Sequence, residues 1–173
     1  QPVELVEIFG HDNLFGPVGE VELATMETLY DIGIMSQSDF DLLTRDVKEL
    51  ISKITTSQVD EIERRFTHHD VRAFVQLIQG QCDKSLGRWT HVPLTSYDPL
   101  DTARVLQFSR AYQKVLRPKI GEVGGILKSL VEKYAHTLQI GRTHGQHALP
   151  ITVGFWLANI LHRLIYNAMK MDD

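Results

Sequence analysis

Residues 100–136 contain a single proline, Pro118, and their apolar positions Leu106, Val115, Leu116, Ile120, Val123, Leu127, Leu130 and Tyr134 recur at helical spacing. That pattern predicts one long helix. Pro118 removes a backbone donor and marks a place where the rod can bend, while Gly121, Gly124 and Gly125 lower helix propensity and permit close approach of a neighbouring helix. After a short interruption, Ile151–Met171 is apolar around much of its circumference. A helix of that kind belongs inside a bundle or a subunit interface. Asn159, His162, Arg163 and Asn167 break its apolar run, so it falls short of a membrane span. Two such helices in succession constrain the chain to an all-α, bundle-type fold, and no strand alternation competes with that reading.

Upstream the pattern is also helical, in shorter pieces. Gln1–Pro17 mixes glycines and prolines with scattered apolar residues and is expected to form an irregular arm. Val21, Leu23, Ala24, Met26, Leu29, Tyr30 and Ile32 make an apolar stripe that Gly33 closes as a helix C-cap. Ser36 or Ser38 then caps a helix carrying Phe40 to Ile54. Thr56 or Ser57 gives a loose capping signal before Val59–Glu63, and Asp70 is placed to cap Val71–Cys82. Arg88–Pro99, with prolines on both sides of Thr95 and Ser96, ends the helical run in a turn. A small helical N-terminal domain over 1–98 and the first, truncated part of a helix-bundle domain over 99–173 are therefore expected, because the chain stops inside a helical pattern without a stop signal.

Composition narrows the class of function. With 43% hydrophobic and 23% charged residues and a net charge of −4, the chain has no overall basic field to attract nucleic acid. One cysteine, Cys82, makes no internal disulfide, and no basic-flanked apolar run suggests secretion, so a cytoplasmic location is expected and neither nucleic acid nor a membrane is an expected partner.

Three segments carry candidate chemistry. Gly141-Arg142-Thr143-His144-Gly145-Gln146-His147 sets an imidazole in a glycine-bounded turn between the two long helical patterns. Imidazole exchanges protons near neutrality, which suits a general acid. The competing reading is a loop histidine making structural hydrogen bonds. A metal site on His144 and His147 would need further ligands, and the loop offers no cysteine or carboxylate. Thr95 and Ser96 offer adjacent hydroxyls and N–H groups in a turn, a cradle for a carboxylate or phosphate oxygen or else ordinary helix capping, and His91 lies one short turn away. His68, His69 and Asp70 stand at an expected helix N-terminus, where anionic groups are favoured; the plain alternative makes Asp70 an N-cap and His68 solvated. Arg142 could equally pair with a ligand phosphate or with a carboxylate of the chain.

Thr143-His144-Gly145-Gln146 followed by Ala148, Pro150, Thr152 and Gly154 resembles a conserved region of the adenylosuccinate lyase family, in the aspartase/fumarase superfamily. His69-Asp70-Val71-Arg72-Ala73-Phe74, Trp89-Thr90-His91, Leu94-Thr95-Ser96, Asp98 and Asp101-Thr102-Ala103 follow the family's order and approximate spacing, so the resemblance covers about Glu61 to Ala158. It implies an L-aspartase/fumarase-like fold and a carbon–nitrogen lyase that releases fumarate from a succinyl-amino nucleotide in purine biosynthesis, without metal or other cofactor. His144 is then the general acid, and His68, His69, Asp70, His91, Thr95, Ser96, Thr143 and Gln146 contact the substrate. The family's homotetramer, whose central helices bundle together, is the implied assembly.

Two departures bear on this. Tyr97 stands where the family commonly has a small residue, which puts the shape of the carboxylate pocket and the identity of the substrate in question. The family's mobile serine-rich loop, which supplies the base, has no match in these residues, so the isolated chain is expected to lack turnover. The rivals are another fumarate-releasing enzyme, such as an argininosuccinate lyase, and a noncatalytic helical module that assembles or binds nucleotide.

Overall fold

Ten α-helices, one 3-10 and two π turns and one β-hairpin make up the regular structure of the computed structural model, which describes residues 2–172. The chain divides into two compact units, one ending at Ala111 and the other beginning at Tyr112. The all-α expectation holds, with the hairpin as the one exception among the described residues.

In the N-terminal unit the expected irregular arm is instead a short helix α1 (Val3–Phe9) and a 3-10 turn (His11–Asn13). Its scattered apolar residues hid the period, but Phe9 packs against Phe108 and the buried Gln107 amide donates to the carbonyls of Ile8 and Asn13. These contacts give the arm a fixed place that local pattern did not reveal. Helix α2 (Phe15–Asp31) buries Phe15, Val18, Glu22, Met26 and Leu29, one stripe at three- and four-residue steps. Gly33, at φ 76°, ends it in a Schellman motif, in which the N–H groups of Gly33 and Ile34 donate to the carbonyls of Tyr30 and Leu29.

The single helix expected from Ser36 to Ile54 is two, α3 (Gln37–Phe40) and α4 (Arg45–Ser52). Each has its own cap: Ser36 accepts from the Asp39 N–H and Thr44 from the Val47 N–H, and such local bonds compete with continued helix. Helix α5 (Thr56–Ile62) is capped one residue earlier than expected, by Thr55, with Gln58 completing a reciprocal capping box. Ser57 instead donates its N–H and hydroxyl to Asp12. A π turn (Glu63–Thr67) leads to α6 (Asp70–Gln81), whose Val71, Phe74 and Ile78 enter the core; α7 (Lys84–Gly87) follows. Phe15, Val18, Ile51, Val59, Phe74, Ile78 and Leu100 form the main cluster, and Met26, Leu29, Met35, Leu43 and Leu86 a second.

Helix α8 (Tyr97–Ala111), a π turn (Tyr112–Leu116) and α9 (Arg117–Lys133) occupy the stretch read as one helix. The wide turn lies directly before Pro118, where the α ladder loses a donor and the ring would crowd the carbonyl of Lys114. In the C-terminal unit, β1 (Leu138–Thr143) pairs antiparallel with β2 (Gln146–Thr152), and α10 (Val153–Asp172) completes the described chain. Helix α10 packs on α9 so closely that a Cβ on Gly154 would sit 2.7 Å from the Ala135 Cα and the Val131 carbonyl oxygen. No described helix is long and apolar enough to cross a membrane.

Candidate active site

In the N-terminal unit, the π turn ends as the His68 N–H donates to the Glu63 carbonyl at 2.9 Å, with His68 in the left-handed region at φ 51°. The His68 side chain is exposed. His69 takes the N-cap position expected of Asp70; its Nδ1 lies 3.5 Å from the Arg72 N–H and 3.2 Å from Asp70 Oδ1. The carboxylate is the better partner, since 3.5 Å is the outer limit of a hydrogen bond. Asp70 Oδ1 also accepts from the Val71 N–H at 2.7 Å, so the donors at the start of α6 already face a carboxylate of the chain itself. The other ring nitrogen of His69, Nε2, stands 3.4 Å from Ser96 Oγ, which brings the α6 N-terminus and the 94–96 turn together.

Thr95 donates both its N–H (2.6 Å) and its hydroxyl (2.8 Å) to one oxygen of Asp98. The backbone donor first, and then the hydroxyl, hold the Asp98 carboxyl below the usual carboxylate range. This is the turn-and-cap arrangement at the start of α8 that the sequence offered as the plain alternative, with the donors of Thr95 taken by the chain's own carboxylate. A ligand carboxylate would use these donors by displacing Asp98. His91, at φ 66°, gives its N–H to Glu22 Oε2 and sets its Nδ1 against Glu22 Oε1, both at 2.8 Å.

The Gly141–Pro150 segment, read from sequence as a loop, is most of a hairpin in the C-terminal unit. Thr143 pairs with Gln146, so His144 and Gly145 are the two residues of the turn. Their φ values of 50° and 73° are both positive, as the tight type I′ connection requires. Gly145 meets that demand without strain, whereas His144 bears it, and the turn projects the exposed His144 ring at the hairpin tip. Gly141 has a different role: it marks the irregularity between Ile140 and Arg142, and a Cβ there would come within 2.7 Å of the Leu149 carbonyl oxygen. Thr143, Gln146, His147 and Arg142 are all exposed beside His144.

Among the described residues, the non-glycine positions at positive φ are His68, His91 and His144, each a histidine singled out by its motif. Sparsely populated backbone of this kind concentrates where a side chain must be aimed. The structure thus joins His69 with Asp70 and Ser96, and His91 with Glu22, while Thr143, His144 and Gln146 share the hairpin tip. Glu22 escaped the sequence reading altogether. Its signal was an acid in step with Val18 and Met26 on a buried stripe, since a lone carboxylate in a core position needs a partner. No three His, Cys, Asp or Glu side chains among the described residues gather in a metal-binding cluster.

Comparison with known proteins places these elements in context. A family model described as lyase matches residues 25–173. An adenylosuccinate lyase of Archaeoglobus fulgidus is 32% identical over 98% of this chain and 37% of that protein. An N-acetyl-S-(2-succino)cysteine lyase of Dickeya dadantii is 29% identical over 98% of this chain and 36% of that protein. Among solved structures, fumarate lyase from Mesorhizobium sp. BNC1 superposes with a TM-score of 0.83 at 23% identity, covering 98% of this chain and 39% of that one, a likeness of fold. The chain spans a little over a third of the length of these curated relatives.

Proposed function

The chain belongs to the lyase family that its residues 25–173 match, and from that premise we propose that it forms part of an adenylosuccinate lyase-like enzyme. The reaction is a β-elimination: a base removes a proton from the succinyl carbon adjacent to the one bearing nitrogen, the C–N bond breaks, and the departing nitrogen takes a proton. Fumarate and the free amino nucleotide leave, so that adenylosuccinate gives AMP, and the related succinylaminoimidazole carboxamide ribotide gives the free carboxamide. In this reading His144 is the acid. Thr95 and Ser96 take a succinyl carboxylate, His68, His69, Asp70 and His91 contact the rest of the substrate, and Thr143 and Gln146 flank the acid. The base belongs to the serine-rich loop that has no counterpart in these residues. The N-terminal domain over 1–98, the central bundle begun at 99–173, a homotetramer and a cytoplasmic location belong to the same proposal.

One observation carries it: a histidine within Thr-His-Gly-Gln is held at a hairpin tip in backbone that a packing residue has no reason to adopt. The test is fumarate release from adenylosuccinate by the longest natural form of this chain, beside His144→Asn. Asparagine tolerates positive φ, so the turn survives while the proton donor is lost. Release by the parent protein and its loss in a folded variant support the acid role. A folded parent that releases no fumarate overturns the substrate assignment.

A second reading has its own support in the Dickeya dadantii relative, whose name places the succino group on sulfur. An S-succino thiol undergoes the same elimination with a thiolate as leaving group. The bulk of exposed Tyr97 beside Ser96 is a reason to run both substrates in parallel.

A further inference from the structure

The Glu22 carboxylate is 1% exposed, and each of its oxygens is taken by a different donor of one residue, His91. The backbone N–H engages Oε2 and the ring Nδ1 engages Oε1, each at 2.8 Å. One carboxylate therefore fixes both the main-chain conformation of His91, which lies in the left-handed region at φ 66°, and the orientation of its ring. Helix α2 supplies the anchor from the core, and the His91 side chain remains 21% exposed. Packing alone does not require this arrangement: an apolar residue at position 22 would continue the stripe of Val18 and Met26.

We propose that Glu22 is a positioning residue for His91. Its buried carboxylate keeps the proton of the neutral ring on Nδ1 and leaves Nε2 as the lone-pair nitrogen offered to a hydrogen-bond donor of the substrate, an amine or a hydroxyl. A carboxylate accepts only, so the nitrogen facing it must carry hydrogen, and the other nitrogen's character follows. The inference rests on the lyase reading for the identity of the substrate, whereas the clamp itself rests on this geometry alone.

Glu22→Gln is the informative change, because it is nearly isosteric and reverses the ring. The amide oxygen can still accept the His91 N–H, but the amide NH2 then faces Nδ1, which must present its lone pair and move the proton to Nε2. Two-bond 1H–15N correlation spectra of the histidine rings, taken where the ring is neutral, read this directly. The expected result is a proton on Nδ1 of His91 in the parent chain and on Nε2 in Glu22→Gln. In the longest natural form, Glu22→Gln should lower kcat/KM for the succinyl substrate by about ten- to a hundredfold, by analogy with the loss on removing a partner that orients a metal-bound histidine. Glu22→Asp keeps the charge and should recover part of that loss. A parent His91 protonated on Nε2 overturns the proposal, as does a Glu22→Gln enzyme with unchanged kcat/KM. If the parent protein releases no fumarate, the functional reading falls, while the spectra still decide the clamp.

Discussion

The two units solve the same problem of placing a histidine in opposite ways. The N-terminal unit fills its interior with two apolar clusters and ties His91 to a buried carboxylate and His69 to Asp70. The C-terminal unit buries no residue of α9 and only Gly154 of α10, and His144 owes its place to the backbone of a two-residue turn. Meanwhile Val123, Ile126, Phe155, Trp156, Ile165 and Met169 all lie open on its helices. The difference teaches that the first unit encloses apolar cores of its own, while the second leaves its large apolar side chains open; in the proposed enzyme the helix bundle would cover them.

Core truncation gives the widest separation between the units. Phe74 is fully buried with its ring 5.1 Å from that of Phe15, so Phe74→Ala should cost about 3–5 kcal/mol. Phe155, 60% exposed, should cost within about 0.5 kcal/mol when replaced by Ala in this chain alone. Each unit holds one tryptophan, Trp89 in the first and Trp156 in the second, so urea unfolding of single-tryptophan variants assigns each loss to its unit. Equal costs at the two positions would break the comparison. In the longest natural form, a cost at Phe155 rising toward that at Phe74 would show that this face is covered.

Gly154→Ala comes next. The added methyl meets backbone, not a movable side-chain end, so α10 must shift from α9 at a cost of about 1–3 kcal/mol, read by Trp156 with Trp89 silent. Gly145→Ala is gentler: nothing lies within 4 Å of the new Cβ, and the cost is only that of holding a non-glycine residue at φ 73°, about 1–2 kcal/mol. Hydrogen exchange across the Leu138–Thr152 ladder should quicken in that variant while α6 amides stay protected.

Helices were legible from apolar residues at three- and four-residue steps and from their stops, as with Gly33 after α2, but which face is buried was not. Of the stripe read there only Met26 and Leu29 are buried, beside Phe15, Val18 and Glu22, while Ala24 and Ile32 are exposed. The hairpin was not legible, since its strands are exposed at most positions, Leu138 and Leu149 included, and alternation is confined to the first four residues of β1, too short a run to stand out. Its turn is His-Gly in place of the usual Asn-Gly, and Pro150 sits within β2, both of which mask a strand. The candidate site was legible as motifs, residue by residue, but not as contacts. Glu22 and His91 lie 69 positions apart, and only folding shows that they touch.

The smallest effect concerns charge. Asp39, almost buried, accepts from Arg88 at 2.5 Å and from the Trp89 indole at 3.0 Å, and these bonds, Arg88 first, hold its carboxyl below the usual range. A carboxyl depressed in the folded state contributes stability that is fully present above its unfolded value, about 3.9, and is lost as pH falls through the lower folded value. Asp39→Asn should therefore lower the urea midpoint reported by Trp89 at pH 7, with the two proteins converging as the pH is taken below about 4. In the C-terminal unit, Asp172 is likewise depressed, by Arg117 first and then by Tyr112, but its side chain is 39% exposed and open to screening. Asp172→Asn should shift the Trp156 midpoint less, and salt should erase what shift there is. A larger and salt-resistant effect at Asp172 than at Asp39 would mean that the second unit is held by its charges after all, and that its exposed apolar face is not the source of the contrast.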